Sequence, residues 1–278
     1  DNDDAWDDFE VQPSSHAPPE ATQKKSQSAP VEPSQPLPFS ITLSPSIPDI
    51  SPSDIPPTTI PPPALLLSLF PSIIANAQSS FFNPLAAQPV SVRSNILASP
   101  SAQRFLNAYL LIGVVAARLI AGRKARWKRD QILAQSMRIG TAGGKGMKLA
   151  GVDKGEVRKE EREVTEVVRV WRQHLGRLRS VVTAANAAVS SSGGGKERIG
   201  PVPELQEMIP LKTATQLDGG VPAPRPCALC GMKRDERVGE KLEAPVQDWL
   251  GEWWLDSLSM HRSCRNFWHE HKDALQTK

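Results

Sequence analysis

Three cysteines and one histidine near the C-terminal end of the chain have the types and spacing of metal ligands. The chain reads CALC from Cys227 to Cys230 and, thirty residues later, HRSC from His261 to Cys264. In each pair, two intervening residues let one tight turn direct both ligands at the same point, and zinc takes four such ligands in a tetrahedron. The sequence therefore predicts a zinc centre that closes the segment between the two pairs.

The cysteine count supports a metal site over a disulfide framework. The chain has 3 cysteines, all of them in this cluster, and an odd number of thiols fits a reduced compartment better than an oxidising one. Four protein ligands leave no open position for water or substrate, so the predicted zinc is structural. The alternative is two ordinary turn cysteines beside a core cysteine.

Aromatic residues crowd the same region and predict a small module built around the ion. Below about 40 residues a fold rarely buries enough apolar surface by itself, and a metal is a usual supplement. His269 and His271 are alternative ligands, but only His261 has pair spacing with Cys264, so we place the other two histidines on a solvated helix face. The aromatic residues in question are Trp249, Trp253, Trp254, Phe267 and Trp268.

Composition divides the 278 residues into four parts. Residues 1–63 carry fifteen of the 26 prolines, which predicts a disordered, acidic and Pro-rich arm. A helical region at 64–190, a linker with a short helix (PELQEMIPL) at 191–226 and a zinc-binding module at 227–278 follow. The predicted fold class is mostly α, with a small helical bundle. No signal peptide opens the chain, which begins with Asp1 and is compatible with a fragment.

A long helix is predicted from about residue 100 to about Gly140. Ser99 is a good N-cap and Pro100 suits the first helical position. The apolar stretch inside it is interrupted by Asn107 and Arg118, which bound only ten uncharged positions, fewer than the roughly 20 that a membrane span needs. We therefore predict a core helix, with a membrane-associated segment as the alternative.

The end of this helix carries the concentrated positive charge of the chain. The basic residues are Arg118, Arg123, Lys124, Arg126, Lys128 and Arg129, with Trp127 among them. Three uses stay open, namely contact with an anionic membrane surface, binding to RNA phosphates, or a solvated helix end. The excess of acidic residues between Cys230 and His261 disfavours phosphate contact at the zinc module, so a nucleic-acid partner is the runner-up hypothesis.

A second helix shows a heptad-like seam of apolar residues. Seven positions recur at alternating spacings of four and three, which predicts helix-on-helix packing at a shallow angle. The preceding helix is the expected partner, and a dimer is the alternative. The seam consists of Val164, Val168, Trp171, Leu175, Leu178, Val182 and Ala185.

The extreme N-terminus carries a short acidic peptide with two aromatic residues. In DDAWDDFE, Trp6 and Phe9 are three residues apart and can face one side of a single turn formed on binding, while Asp7 and Asp8 can meet a basic rim on a partner. The pattern resembles the acidic W-x-x-F motifs through which clathrin accessory proteins engage adaptor appendage domains. We find no motif for nucleophilic or metal-dependent hydrolysis, so the chain is predicted not to be an enzyme.

The string HRSCRNFWHEH, together with CALCGM, resembles the end domain of the gamma-synergin and aftiphilin family. The matching positions are Cys227, Cys230, His261, Cys264, Asn266, Phe267 and Trp268. The resemblance implies a non-enzymatic accessory protein of clathrin-coated vesicles, cytoplasmic and peripheral at the trans-Golgi network and endosomes. It also implies adaptor appendage domains and a large HEAT-repeat protein as partners.

Overall fold

The computed structural model describes six segments of the chain. Trp6, Asp7, Asp8, Phe9 and the rest of the predicted N-terminal arm up to residue 55 lie outside them. The described segments are residues 56–136, 138–139, 147–148, 153–191, 198–239 and 253–276.

These segments are mostly α-helical, which confirms the predicted fold class. The helices are α1 (Pro63–Leu67), α2 (Phe70–Ala77), α3 (Asn83–Ala86), α4 (Val90–Ala98), α5 (Pro100–Ser136), α6 (Lys154–Ser191) and α7 (Arg262–Gln276), with a π-helical turn at Gln78–Phe82 and a 3-10 turn at Gln216–Asp218. Two-residue or three-residue strands form three antiparallel pairs. They are β1 (Arg138–Ile139) with β2 (Met147–Lys148), β3 (Leu211–Thr213) with β4 (Glu236–Val238), and β5 (Trp254–Leu255) with β6 (Met260–His261).

Helix α5 is the central core helix. Its N-terminus is capped as expected, because the Oγ of Ser99 accepts a hydrogen bond from the backbone N–H of Ala102 at 3.3 Å. The helix is long and apolar enough to cross a membrane, as is the stretch 63–86, but 83% of its most apolar 18-residue window is buried inside the protein. This burial agrees with the core-helix prediction.

Helix α6 presents the predicted apolar seam to the core. Six of its seven seam residues are buried and the seventh, Leu175, packs against the core from its edge. The expected partner, α5, is one of four helices that α6 contacts, because α6 also packs against α1, α2 and α4. Contact with α5 is made by aromatic stacking of Trp171 on Tyr109, whose ring centroids are 5.5 Å apart.

The short helix predicted for PELQEMIPL is wrong. Residues 201–210 form no helix, because Pro203 and Pro210 interrupt the segment and its carbonyl groups bond to α6 instead of to each other. The indole of Trp171 donates to the carbonyl of Pro203 at 2.9 Å, and Arg172 donates to that of Leu205 at 3.3 Å. The segment is a strap that ties the linker to α6, with Leu205 fully buried.

The C-terminal module is docked on the helices and shares their hydrophobic core. The ring of Phe267 in α7 stacks on that of Phe70 in α2, with centroids 5.1 Å apart and an interplanar angle of 8°. At Gly122 of α5, an added Cβ would overlap the carbonyl oxygen of Cys230. Only a residue without a side chain lets the turn of Cys230 lie directly on α5.

The basic residues of α5 bond mainly to other parts of the protein. Arg123 is buried, donates to the carbonyl of Glu207 and lies 5.0 Å above the ring of Trp127. Arg126 pairs with the buried carboxylate of Glu160, and Arg129 donates to the carbonyl of Gly231. These arginines therefore hold α5 against α6, the strap and the C-terminal module.

The close approach at Gly122 predicts that Gly122→Ala lowers the free energy of unfolding by about 1–3 kcal/mol, because the new methyl group collides with backbone that cannot rotate away. Denaturant unfolding of the full chain measures this change. Gly176→Ala is the matched control, since Gly176 lies mid-helix in α6 with open space around it, and there alanine is expected to add about 0.5–1 kcal/mol. A Gly122→Ala protein as stable as the wild type would contradict the docking described here.

Candidate metal centre

The first ligand pair lies in a tight turn whose backbone aims both sulfurs inward. The N–H of Cys227 donates to the carbonyl of Met232 at 2.7 Å, and the N–H of Gly231 donates back to the carbonyl of Cys227 at 2.8 Å. Gly231 has φ of 76°, in the left-handed region that favours glycine. The sequence CALCG therefore closes a turn with Cys227 and Cys230 on the same side.

The second pair spans the junction between a strand and a helix. His261 ends β6 and Cys264 lies in the first turn of α7, so the three-residue spacing places both side chains on one face. The chain enters this junction through a tight reversal after β5, in which Ser259 has φ of 51°. The N–H of Ala228 bonds to the carbonyl of Ser259 at 3.2 Å, which joins the two turns directly.

The four predicted ligands converge at one point. Their ligand atoms all lie within 4.8 Å of one another, and all four residues are buried. The Nδ1 of His261 is 3.4 Å from the Sγ of Cys230 and 3.8 Å from that of Cys264. In a zinc tetrahedron, bond lengths of about 2.3 Å to sulfur and about 2.0 Å to nitrogen separate such atoms by about 3.6 Å. The cluster is thus able to hold a metal ion.

The electrostatics of the cluster point the same way. Burial, reinforced by the neighbouring sulfur of Cys227, raises the pKa of the Cys230 thiol well above its ordinary value, and burial does the same for Cys264. Three adjacent buried thiols cannot all ionise without a compensating positive charge. A bound cation supplies that charge and deprotonates coordinating thiols.

Aromatic rings surround the histidine, as the composition of the region predicted. His261 pairs with Trp254 across the β5–β6 ladder, and their rings meet edge to face at 4.9 Å. The ring of Trp253 approaches His261 from another side at 4.6 Å. Phe267 is buried and Trp268 packs on the core edge, while Trp249 falls outside the described residues. Together Trp253 and Trp254 fix the orientation of the imidazole.

The two alternative histidines do not join the cluster. His269 is exposed on α7, as predicted. The solvated position expected for His271 is wrong, because its ring packs 4.7 Å from that of Phe267 and burial lowers its pKa to about 4. In the C-terminal module of the described structure, His261 is the histidine that stands with the three cysteines.

Helix α5 supplies contacts to this site that the spacing of the ligands could not reveal. Gly122 lies against Cys230, Arg129 bonds to the carbonyl of Gly231, and the guanidinium of Arg118 bonds to Ser263, the residue before Cys264. Arg118 interrupts an otherwise apolar stretch, and that interruption was the available sequence signal. From the sequence alone, Arg118 indicates the boundary of the apolar region, and its position beside the site follows only from the structure.

Replacement of His261 should show which of the neighbouring histidines binds the metal ion. We expect His261→Ala to reduce the bound divalent ion well below one per chain, because three buried thiols without the fourth donor lose the closed tetrahedron. His271→Ala and His269→Ala in the same full-length chain are the controls and should keep the ion. Native mass spectrometry after desalting measures all three, and full metal content in His261→Ala would refute the assignment.

Comparison with known proteins gives the family of the chain. No curated protein and no solved structure matches it. A family model described as a domain of unknown function, DUF8761, matches residues 55–278. That range contains every described helix and all four residues of the buried cluster, whereas Trp6 and Phe9 precede it. The chain therefore belongs to the DUF8761 family.

Proposed function

We propose that this chain is a non-enzymatic accessory protein of clathrin-coated vesicle traffic, with a zinc-stabilised docking module at residues 64–278 and an adaptor-binding peptide in its N-terminal arm. The observation that carries the proposal is the buried Cys3His cluster, which packs against helix α5 and shares the hydrophobic core of the helices. The trafficking assignment is supported by the H-x-x-C-x-N-F-W resemblance to the gamma-synergin and aftiphilin family.

Zinc is the metal that we assign to the cluster. Three thiolates and one imidazole form a soft donor set, and buried four-coordinate sites of this composition are typical of structural zinc. Cys227, Cys230, His261 and Cys264 would hold the ion. When bound, zinc would supply a rigid link between the two turns, and the protein residues around it exclude water.

A scaffold role fits this site better than catalysis does. All four positions of a tetrahedron are filled by buried side chains, so a substrate would have to displace a ligand. One of the two aromatic residues of the H-x-x-C-x-N-F-W string has a structural role, since Phe267 stacks on Phe70 in the core. Several positions of the string therefore have a structural role, as expected for the sequence signature of a folded docking module.

The division of labour that we propose follows the boundaries of the chain. Trp6 and Phe9 would occupy a groove on an adaptor appendage domain, and Asp7 and Asp8 would meet its basic rim. The helical and zinc-bound region would dock a large HEAT-repeat partner. We place the protein in the cytoplasm, peripheral to trans-Golgi and endosomal vesicles.

The runner-up function, nucleic-acid binding through the basic part of α5, has less support. Phosphate recognition needs arginine and lysine heads that reach solvent together. In the described structure, Arg123 and Arg129 donate to the backbone carbonyls of Glu207 and Gly231, and Arg126 pairs with the carboxylate of Glu160, so these three guanidinium groups are directed at the protein itself. Lys128 is exposed.

Appendage binding provides the test of the trafficking assignment. Full-length protein should be captured by isolated adaptor appendage domains, and Trp6→Ala/Phe9→Ala should lose at least about tenfold in affinity, because aromatic anchors carry most of the energy in such short peptides. Asp7→Asn/Asp8→Asn should lose less and show weaker salt dependence. Calorimetric titration measures each affinity.

Two controls make this result specific. Phe39→Ala removes an aromatic side chain from the same Pro-rich arm but leaves the W-x-x-F pattern intact, and it should bind like the wild type. His261→Ala should also keep appendage binding, because the peptide and the metal centre are separate in the chain. Equal binding by wild type and Trp6→Ala/Phe9→Ala would remove the adaptor contact.

A further inference from the structure

A buried arginine of α5 lies beside the metal-ligating residues. The side chain of Arg118 is 3% exposed, and it stands one helical turn before Gly122, the residue that lies against Cys230. Residues four apart share one face of a helix. The face of α5 that contacts the C-terminal module therefore carries a permanent positive charge, since arginine does not deprotonate in proteins.

The contacts of this guanidinium connect it to both members of the second ligand pair. Its Nη1 donates to the Oγ of Ser263 at 2.6 Å, and Ser263 precedes the ligand Cys264. Its Cζ lies 5.2 Å from the centre of the Trp253 ring, which in turn packs 4.6 Å from the ring of His261. Arg118 is thus linked to the centre through Ser263, the chain neighbour of Cys264, and through Trp253, whose ring packs against His261.

The position of Arg118 matters for the charge balance of the metal-bound cluster. Three thiolates, a neutral imidazole and a divalent cation sum to a net charge of minus one in a site that is fully buried. A buried charge is strongly disfavoured unless an opposite charge is nearby. A positive charge beside this site therefore stabilises the metal-bound form.

We propose that Arg118 is the counter-ion of the metal centre, and that its guanidinium balances the negative charge of the thiolate–metal cluster so that tight metal retention requires the docked helix α5. This inference rests on the zinc assignment made above. Arg118 touches no metal and acts as a positioning and charge-balancing residue. Because coupling is reciprocal, metal binding should also strengthen the docking of α5.

The test compares Arg118→Met, which removes the charge but keeps much of the side-chain volume, with Arg118→Lys, which keeps the charge. Arg123→Met is the matched control, because Arg123 is equally buried on the same helix but faces Glu207 and Trp127. Zn2+ affinity of each full-length protein is measured by competition with a chromophoric chelator. The absorption spectrum of the Co2+-substituted protein reports whether the three sulfur ligands are retained.

We expect Arg118→Met to bind Zn2+ about 10- to 100-fold more weakly, as found when groups that support metal ligands are replaced. Its Co2+ spectrum should keep the sulfur charge-transfer bands, and Arg118→Lys and Arg123→Met should stay within about threefold of the wild type. An Arg118→Met affinity equal to that of Arg123→Met would overturn the proposal. If Arg118→Met does not fold, Arg118→Lys decides, and a loss of tenfold or more in that variant overturns it.

These outcomes are distinct from failure of the zinc assignment. A wild-type protein that binds no Zn2+ contradicts the proposed function itself. A wild-type protein that binds Zn2+ tightly, with Arg118→Met equally tight, contradicts the counter-ion role of Arg118 alone.

Discussion

The convergence of four buried ligand atoms within 4.8 Å is the constraint on which the C-terminal half of the structure depends. The two turns that carry them are thirty residues apart, and in the described parts of residues 198–239 and 253–276 the strands are only two or three residues long. Strands this short contribute few ladder hydrogen bonds, so they cannot hold the turns together by themselves. The four converging side chains are able to hold a metal ion, and such an ion would link the two turns.

The candidate metal centre also affects the helices, because the C-terminal module packs against them. The turn of Cys230 lies on Gly122 of α5, and Phe267 of α7 packs against Phe70 of α2. In the strap, the carbonyl of Pro203 accepts a hydrogen bond from the indole of Trp171. A single hydrophobic core runs through these contacts. The predicted separation into a helical region and a zinc module is therefore a division of the sequence, whereas the packing joins the two.

Sequence patterns predicted the features that are local. The spacing of CALC and HRSC identified the four residues that converge in the buried cluster, Ser99 with Pro100 identified the start of α5, and the seam of α6 followed from its alternating spacings. Each of these signals depends on residues a few positions apart, and such signals report backbone conformation or the apolar face of an element. They do not report which partner covers that face.

The features that the sequence did not predict all depend on long-range contacts. The strap at 201–210 has helix-like spacing of apolar residues, but the hydrogen bonds from Trp171 and Arg172 that hold it in a non-helical conformation come from α6. The basic residues of α5 suggested a surface, yet Arg123 and Arg118 are buried because remote carbonyl, hydroxyl and aromatic groups receive them. His271 was misplaced for the same reason, since the ring of Phe267 covers it.

We propose that one zinc ion holds the two turns together through three sulfur ligands and one nitrogen ligand. X-ray absorption at the zinc edge, on full-length protein purified without added metal, tests it most directly. We expect the zinc to have three sulfur ligands at about 2.3 Å and one nitrogen ligand at about 2.0 Å. A shell of nitrogen and oxygen ligands only, or the absence of zinc from correctly folded protein, would contradict it.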